Sequence, residues 1–199
     1  GAPYDPARLD VFLKLFEALK ATAPGQRPAK SMSAQAQSNL AFFEAYFSNF
    51  IEGTKFEIEE AVDIVFNGRI PNDRPEDAHD VLGTFRIVSD QKEMSKLPHR
   101  IEDLFDLIKS RHRVFMELRP DKHPGNFKIK NNQAGSTQFV IPDLVEGTLE
   151  KGVEIYQGLQ VPLHRAVFMM FLISEVHPFT DGNGRAARIM MNAELVAAD

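Results

Sequence analysis

A histidine, an aspartate, an asparagine flanked by glycines and two arginines fall between His177 and Arg188, in the run HPFTDGNGRAAR. The end of this run opens a helix. Backbone N–H groups at a helix start have no partner within the helix and carry partial positive charge, so such a start is an anion pocket. Gly182 and Gly184 let the backbone approach a phosphate closely. Arg185 and Arg188, three residues apart, share a helix face and can grip one polyphosphate. Asp181 by itself would repel a phosphate, but it makes sense as a ligand for Mg²⁺, which bridges phosphate oxygens and cancels their charge. His177 then stands as the base. The chemistry expected is phosphate transfer.

The elements that must position these groups read as helix after helix, with a small hairpin between them. Asp5 and Pro6 form an N-cap and first-turn pair, opening a segment with Leu9, Phe12, Leu13, Phe16 and Leu19 at helical spacing. Ala21–Pro28 is a linker. Ser38–Glu52 carries Leu40, Phe43, Phe47, Phe50 and Ile51 on a broad apolar stripe and stops at Gly53. Further helices are expected over 56–66, ended by Asn67-Gly68, and over 76–90, 101–116, 144–157, 161–176 and 183–198. The 161–176 segment is apolar on almost every side after His164-Arg165 and reads as a buried central helix. Between Pro120 and Pro142 the pattern changes to two short alternating segments, around 127–129 and 139–141, which predict a hairpin with a polar tip.

The run from His177 to Arg188 resembles the Fic-family signature His-x-Phe-x-Asp/Glu-Gly-Asn-Gly-Arg-x-x-Arg, with every fixed position matched. The similarity in element order extends over roughly residues 35–199. The resemblance implies an all-α Fic-fold helical bundle with a small β-hairpin flap and an N-terminal inhibitory helix. It divides the chain into a helical extension and linker (1–34), an inhibitory-helix region (35–60) and a catalytic core (61–199) that ends soon after the signature helix. It also implies transfer of AMP from ATP, with Mg²⁺, to a Ser, Thr or Tyr hydroxyl of a target protein. In that scheme His177 deprotonates the hydroxyl and Asp181 coordinates Mg²⁺. Gly182, Asn183 and Gly184 cradle the α- and β-phosphates, Arg185 holds the β-phosphate, and Arg188 binds the γ-phosphate. Phe179 is a packing anchor for the loop.

Far upstream, Ser48-Asn49-Phe50-Ile51-Glu52-Gly53 resembles the inhibitory motif Ser/Thr-x-x-x-Glu-Gly/Asn of one Fic class. The resemblance implies that Glu52 pairs with Arg188 where the γ-phosphate would sit, making Ser48, Glu52 and Gly53 a built-in brake. It also makes residues 127–140 a target-docking flap, with Lys128, Ile129, Lys130, Phe139 and Val140 presenting an edge to an extended target segment. His112, His123 and His164 lack metal-ligand spacing with His177 and read as structural or surface residues.

Composition sets the outer limits. A formal charge of −5 over 199 residues argues against a nonspecific nucleic-acid binder, and the absence of cysteine excludes disulfides and thiolate chemistry. No apolar run has the length of a membrane helix, and a cytoplasmic protein is the expectation. Self-modification and a homodimer remain as further partner relationships. The same site could instead remove AMP from a modified protein or transfer another phosphate-containing group such as UMP or phosphocholine. A non-enzymatic module with a vestigial site is disfavoured by the intact motif.

Overall fold

The computed structural model describes residues 1–25 and 30–198. Residues 26–28 of the expected linker therefore lie outside the described residues. The helices are α1 (Pro6–Ala21), α2 (Ala34–Ile51), α3 (Ile58–Asn67), α4 (Pro75–Val88), α5 (Gln91–Met94), α6 (Ile101–Phe115), α7 (Pro142–Tyr156), α8 (Pro162–Val176) and α9 (Asn183–Val196). Two two-residue strands, β1 (Gln133–Ala134) and β2 (Thr137–Gln138), form an antiparallel hairpin between α6 and α7. The chain is all-α with a small hairpin, as expected.

Local sequence explains most of the boundaries. The Asp5 side chain accepts from the N–H groups of Ala7 and Arg8, and Pro6 supplies a pre-set φ at the first helical position. Gly68 closes α3 in the left-handed conformation, with φ of 67°. Pro75, Pro142 and Pro162 each open a helix, where a missing N–H costs nothing. The short α5, which the periodicity did not reveal, begins at an Asp90 cap and buries Met94.

Helices α8 and α9 pair most extensively and carry the main core, built from Phe168, Met169, Leu172, Ile173 and Val176 of α8 with Ile189, Met190 and Ala193 of α9. Helix α7 approaches α8 so closely at Gly152 that a Cβ there would run into the Leu172 side chain. Helix α1 is part of this core: Phe12 is fully buried and meets Phe168 and Phe171 edge-on. A second, smaller cluster gathers Phe42, Tyr46, Phe56, Ile64 and Val81 beneath α2, α3 and α4.

The stripe on α2 corrects the expectation from periodicity. Leu40, Phe43, Phe47, Phe50 and Ile51 are all exposed, Ile51 to 66%. The face turned inward instead carries Ala41, Phe42, Ala45, Tyr46, Ser48 and Asn49. Ser48 and Asn49 find partners there among the side chains of α4 and α9, and a buried polar group with a partner does not suffer the penalty that hydrophobic counting assigns to it.

Candidate active site

His177 terminates α8 in the left-handed conformation, with φ of 54° and ψ of 58°. This region is uncommon for any residue other than glycine. The turn swings the ring back over its own helix, where Nδ1 lies 3.0 Å from the carbonyl of Ser174. A carbonyl can only accept, so Nδ1 carries the proton and Nε2 is left with its lone pair. The Phe139 ring stacks on the imidazole at 3.7 Å, within 4° of parallel. Burial holds the His177 pKa below the ordinary histidine value; the Ser174 hydrogen bond opposes this and the Lys128 ammonium adds to it. The resting form is a neutral, oriented base.

The loop after His177 is braced from within. Asn183 Oδ1 accepts from the Phe179 N–H at 2.8 Å, and its Nδ2 donates to the Phe179 carbonyl. The Asn183 side chain thus closes the loop on itself, leaving only its backbone for a ligand. Phe179 is fully buried and stacks on His112 at 3.8 Å, the anchor expected of it. His112 is itself pinned on both nitrogens. Nδ1 accepts from the Gly125 N–H and Nε2 donates to the Asp181 carbonyl. Burial pushes its pKa down to about 4, in keeping with that neutral tautomer. Gly182 then turns the chain into α9 with φ of 80°.

Three helices converge on the two arginines. Arg188 Nε donates to Ser48 Oγ at 2.9 Å, and Nη2 donates to the Ser48 carbonyl at 3.0 Å and to Glu52 Oε1 at 2.5 Å. The Glu52 carboxylate also lies against the first turn of α9, where a Cβ on Gly184 would collide with it. A negative group therefore already rests in the pocket expected to hold phosphate. Gly53 follows with φ of 95° and ends α2 there. Arg185 is 4% exposed and stands between Asn49 Oδ1 at 3.3 Å and Asp80 Oδ1 at 3.6 Å, with its guanidinium over the Phe115 ring. Asp80, also buried, is held in turn by Arg119. The Nε–H of Arg185 has no partner among the described residues, a donor available for an anion in a site otherwise paired.

Asp181 is exposed at the mouth of this pocket, with Oδ1 accepting from the Gly182 N–H at 2.7 Å. Among the described residues no group of three or more His, Cys, Asp or Glu converges as a metal cage. A single carboxylate suits Mg²⁺ that arrives with phosphates and keeps several waters, so Asp181 fits the ion as a partial ligand.

The flap differs from its expected form. The strands lie at Gln133–Ala134 and Thr137–Gln138, closer to the tip than the alternating segments around 127–129 and 139–141. The reason is competition for hydrogen bonds. The Lys128 N–H donates to the Pro178 carbonyl and Asn132 Nδ2 donates to the Phe179 carbonyl, so the first arm of the hairpin is tied to the loop after His177, and across the hairpin base the Phe139 N–H bonds to the Asn132 carbonyl. Ile129 and Lys130 are exposed and Phe139 is half-buried. Lys128 and Val140 are buried, which removes both from the surface open to a target.

This geometry has counterparts. Residues 100–195 match the profile of the Fic/DOC family. The chain carries a Fic/DOC-family domain. Around that domain, 186 residues are 27% identical to a "Protein adenylyltransferase Fic" of Nematostella vectensis, covering 86% of this chain and 41% of that protein. A "Protein adenylyltransferase fic-1" of Caenorhabditis briggsae is 27% identical over 159 residues, 76% of this chain and 31% of its own length. The chain thus spans less than half the length of these two relatives. Among solved structures, Fic-1 of C. elegans superimposes with a TM-score of 0.68 at 21% identity, over 96% of this chain and 57% of that one. The Fic/DOC fold is shared along nearly the whole chain.

Within the Fic/DOC domain and the helices packed on it, the structure brings together every signature residue from His177 to Arg188 with Ser48 and Glu52. Sequence reasoning missed Asn49, Asp80, Arg119 and Asn132, which hold the arginines and the loop, while His112 has the structural role expected of it.

Proposed function

We propose that the chain is a protein adenylyltransferase, moving AMP from ATP to a hydroxyl side chain of a target protein, with Glu52 as its brake. The observation that carries this reading is the Glu52 carboxylate seated on Arg188 at the start of α9, beside a histidine whose Nε2 is free. It marks the place as one that binds a negative group within reach of a base.

In this reading the N–H groups at the start of α9 and the Arg185 Nε–H receive the phosphates, and Arg188 receives the γ-phosphate once Glu52 leaves it. His177 Nε2 takes the proton of the target hydroxyl as its oxygen attacks the α-phosphorus in line. The bond from that phosphorus to the bridging oxygen breaks, and pyrophosphate departs. Mg²⁺ bound with the nucleotide at Asp181 would neutralise charge on the phosphates. Most of the rate comes from positioning and charge neutralisation, with the base contributing about 10²–10⁴-fold. The exposed tip of the flap offers backbone for an extended target segment.

While Glu52 and Ser48 occupy all the Arg188 contacts seen here, a nucleotide could enter only with its terminal phosphate displaced from the productive line. Mass spectrometry of wild type and Glu52→Gly incubated with ATP and Mg²⁺ tests the proposal. A gain of the mass of AMP, greater in the variant, is expected; no AMP adduct on either protein, alone or with candidate targets, overturns it.

A further inference from the structure

The flap holds a lysine that the transfer reading leaves without a task. Lys128 is 3% exposed, although its hairpin neighbours Ile129 and Lys130 are exposed. Its ammonium donates to Asn132 Oδ1 at 2.7 Å and reaches the carbonyl of Val176 at 3.4 Å. Its backbone N–H bonds to the Pro178 carbonyl at 2.8 Å, and Asn132 in turn bonds to the Phe179 carbonyl. The three carbonyls belong to Val176, Pro178 and Phe179, the residue before His177 and the two after it. A buried cation is expensive, and it is retained where its charge or its donors serve something.

We propose that Lys128 is a positioning residue for His177: it clasps the peptides on either side of the histidine and places a positive charge that keeps the imidazole unprotonated. The inference deepens the transfer reading, because only a base needs to be neutral. The physical grounds are direct. The last carbonyls of α8 carry the negative end of the helix dipole, which would otherwise favour an imidazolium at its C-terminus. Lys128 reaches the Val176 carbonyl and opposes that field. Of the other charged groups acting on His177, Glu52 and Asp181 favour protonation, so Lys128 is the cation set against two carboxylates. Arg8 stands behind it, paired with Glu175 of α8 at 3.0 Å and donating to the Gln138 carbonyl on the flap at 2.6 Å. Burial, with a contribution from Arg8, lowers the Lys128 pKa to about 8, so it is charged at neutral pH and loses its charge just above.

The test is a proton-NMR titration of the His177 ring in wild type, Lys128→Met and Lys128→Arg, with no nucleotide or target required. In Lys128→Met the His177 midpoint is expected to rise by roughly half a unit or more, and in Lys128→Arg to stay within about 0.2 unit of wild type. Wild type should also show a second inflection of the His177 signals near pH 8 as Lys128 titrates, a readout that survives even if Lys128→Met does not fold. An unmoved or lowered midpoint in Lys128→Met overturns the proposal, as does a single-site wild-type titration through pH 10. A failure here leaves the transfer reading standing, and an absence of AMP transfer does not alter the titration.

Discussion

Glu52 and Gly184 meet side chain to backbone: the carboxylate of the one fills the space where the other would carry its Cβ. That contact places the end of α2 on the start of α9, and the ion pair to Arg188 follows from it. In Glu52→Gly the carboxylate is gone, and Arg188 retains only Ser48. AMP incorporation in the presence of ATP and Mg²⁺ is expected to rise by about tenfold or more, the scale of a lost charge-assisted hydrogen bond of about 1.5–3 kcal/mol. Intact-mass measurement reads it. Incorporation no higher than wild type would remove the brake.

His177→Ala should reduce AMP transfer by about 10²–10⁴-fold in the Glu52→Gly background. Nucleotide affinity should change little, because no phosphate contact is assigned to the imidazole. Calorimetric titration with ATP separates the two quantities. A full-rate His177→Ala protein would move the base elsewhere.

The acid limb of the pH–rate profile should fall below the ordinary histidine midpoint of about 6.5. Burial lowers the His177 pKa, so protonation, and with it the loss of the base, sets in only as the pH drops past that lowered value. Single-turnover rates across pH 5–8 measure the midpoint; a value at or above about 7 would contradict the burial argument.

Asp80→Ala should destabilise the protein by about 3–5 kcal/mol in denaturant unfolding. Asp80 is buried between Arg119 and Arg185, and its removal leaves the Arg185 guanidinium buried without its carboxylate. A loss under 1 kcal/mol would mean that Asn49 and the Phe115 ring suffice.

Glu44 provides a stability test away from the site. Burial raises its pKa to about 7, so the folded protein holds a proton there that the unfolded chain releases above about 4.5. Its contribution is full below that lower value and fades as the pH rises through 7. The linkage sets a ceiling of about 3 kcal/mol, which partial exposure reduces to about 1–2. Glu44→Gln should therefore gain stability over wild type at pH 8 and lose that advantage at pH 4.5, as read by paired urea melts. An advantage independent of pH would assign the effect to packing.

The helices and the signature loop were legible because their signals are local. Capping residues, prolines at first turns and glycines at helix ends fix boundaries within a few residues, and the chemistry-bearing run from His177 to Arg188 is contiguous. Glu52 could be matched to Arg188 only through its resemblance to a known motif, since nothing in the chain between residues 136 positions apart dictates the meeting. The supporting layer was not legible. Asp80, Arg119 and Asn132 are ordinary surface residue types whose partners are decided by tertiary approach. The apolar stripe of α2 misled for the converse reason: periodicity locates an amphipathic helix but does not say which face the fold covers. At 127–141 the alternation was real, yet the Lys128 N–H pairs with the Pro178 carbonyl of the loop after His177 instead of with the other arm of the hairpin.

Phe12 has a practical consequence for anyone trimming this protein. The segment that matches the family profile begins at residue 100, but α1 supplies the ring that closes α8 from the other side. A shortened expression fragment starting at α2 would leave Phe168 and Phe171 facing water on the helix that ends in His177, and would lose the Arg8 tether to the flap as well. Solubility and histidine orientation should then fail together, from a cut at Ala34, far from His177 in sequence.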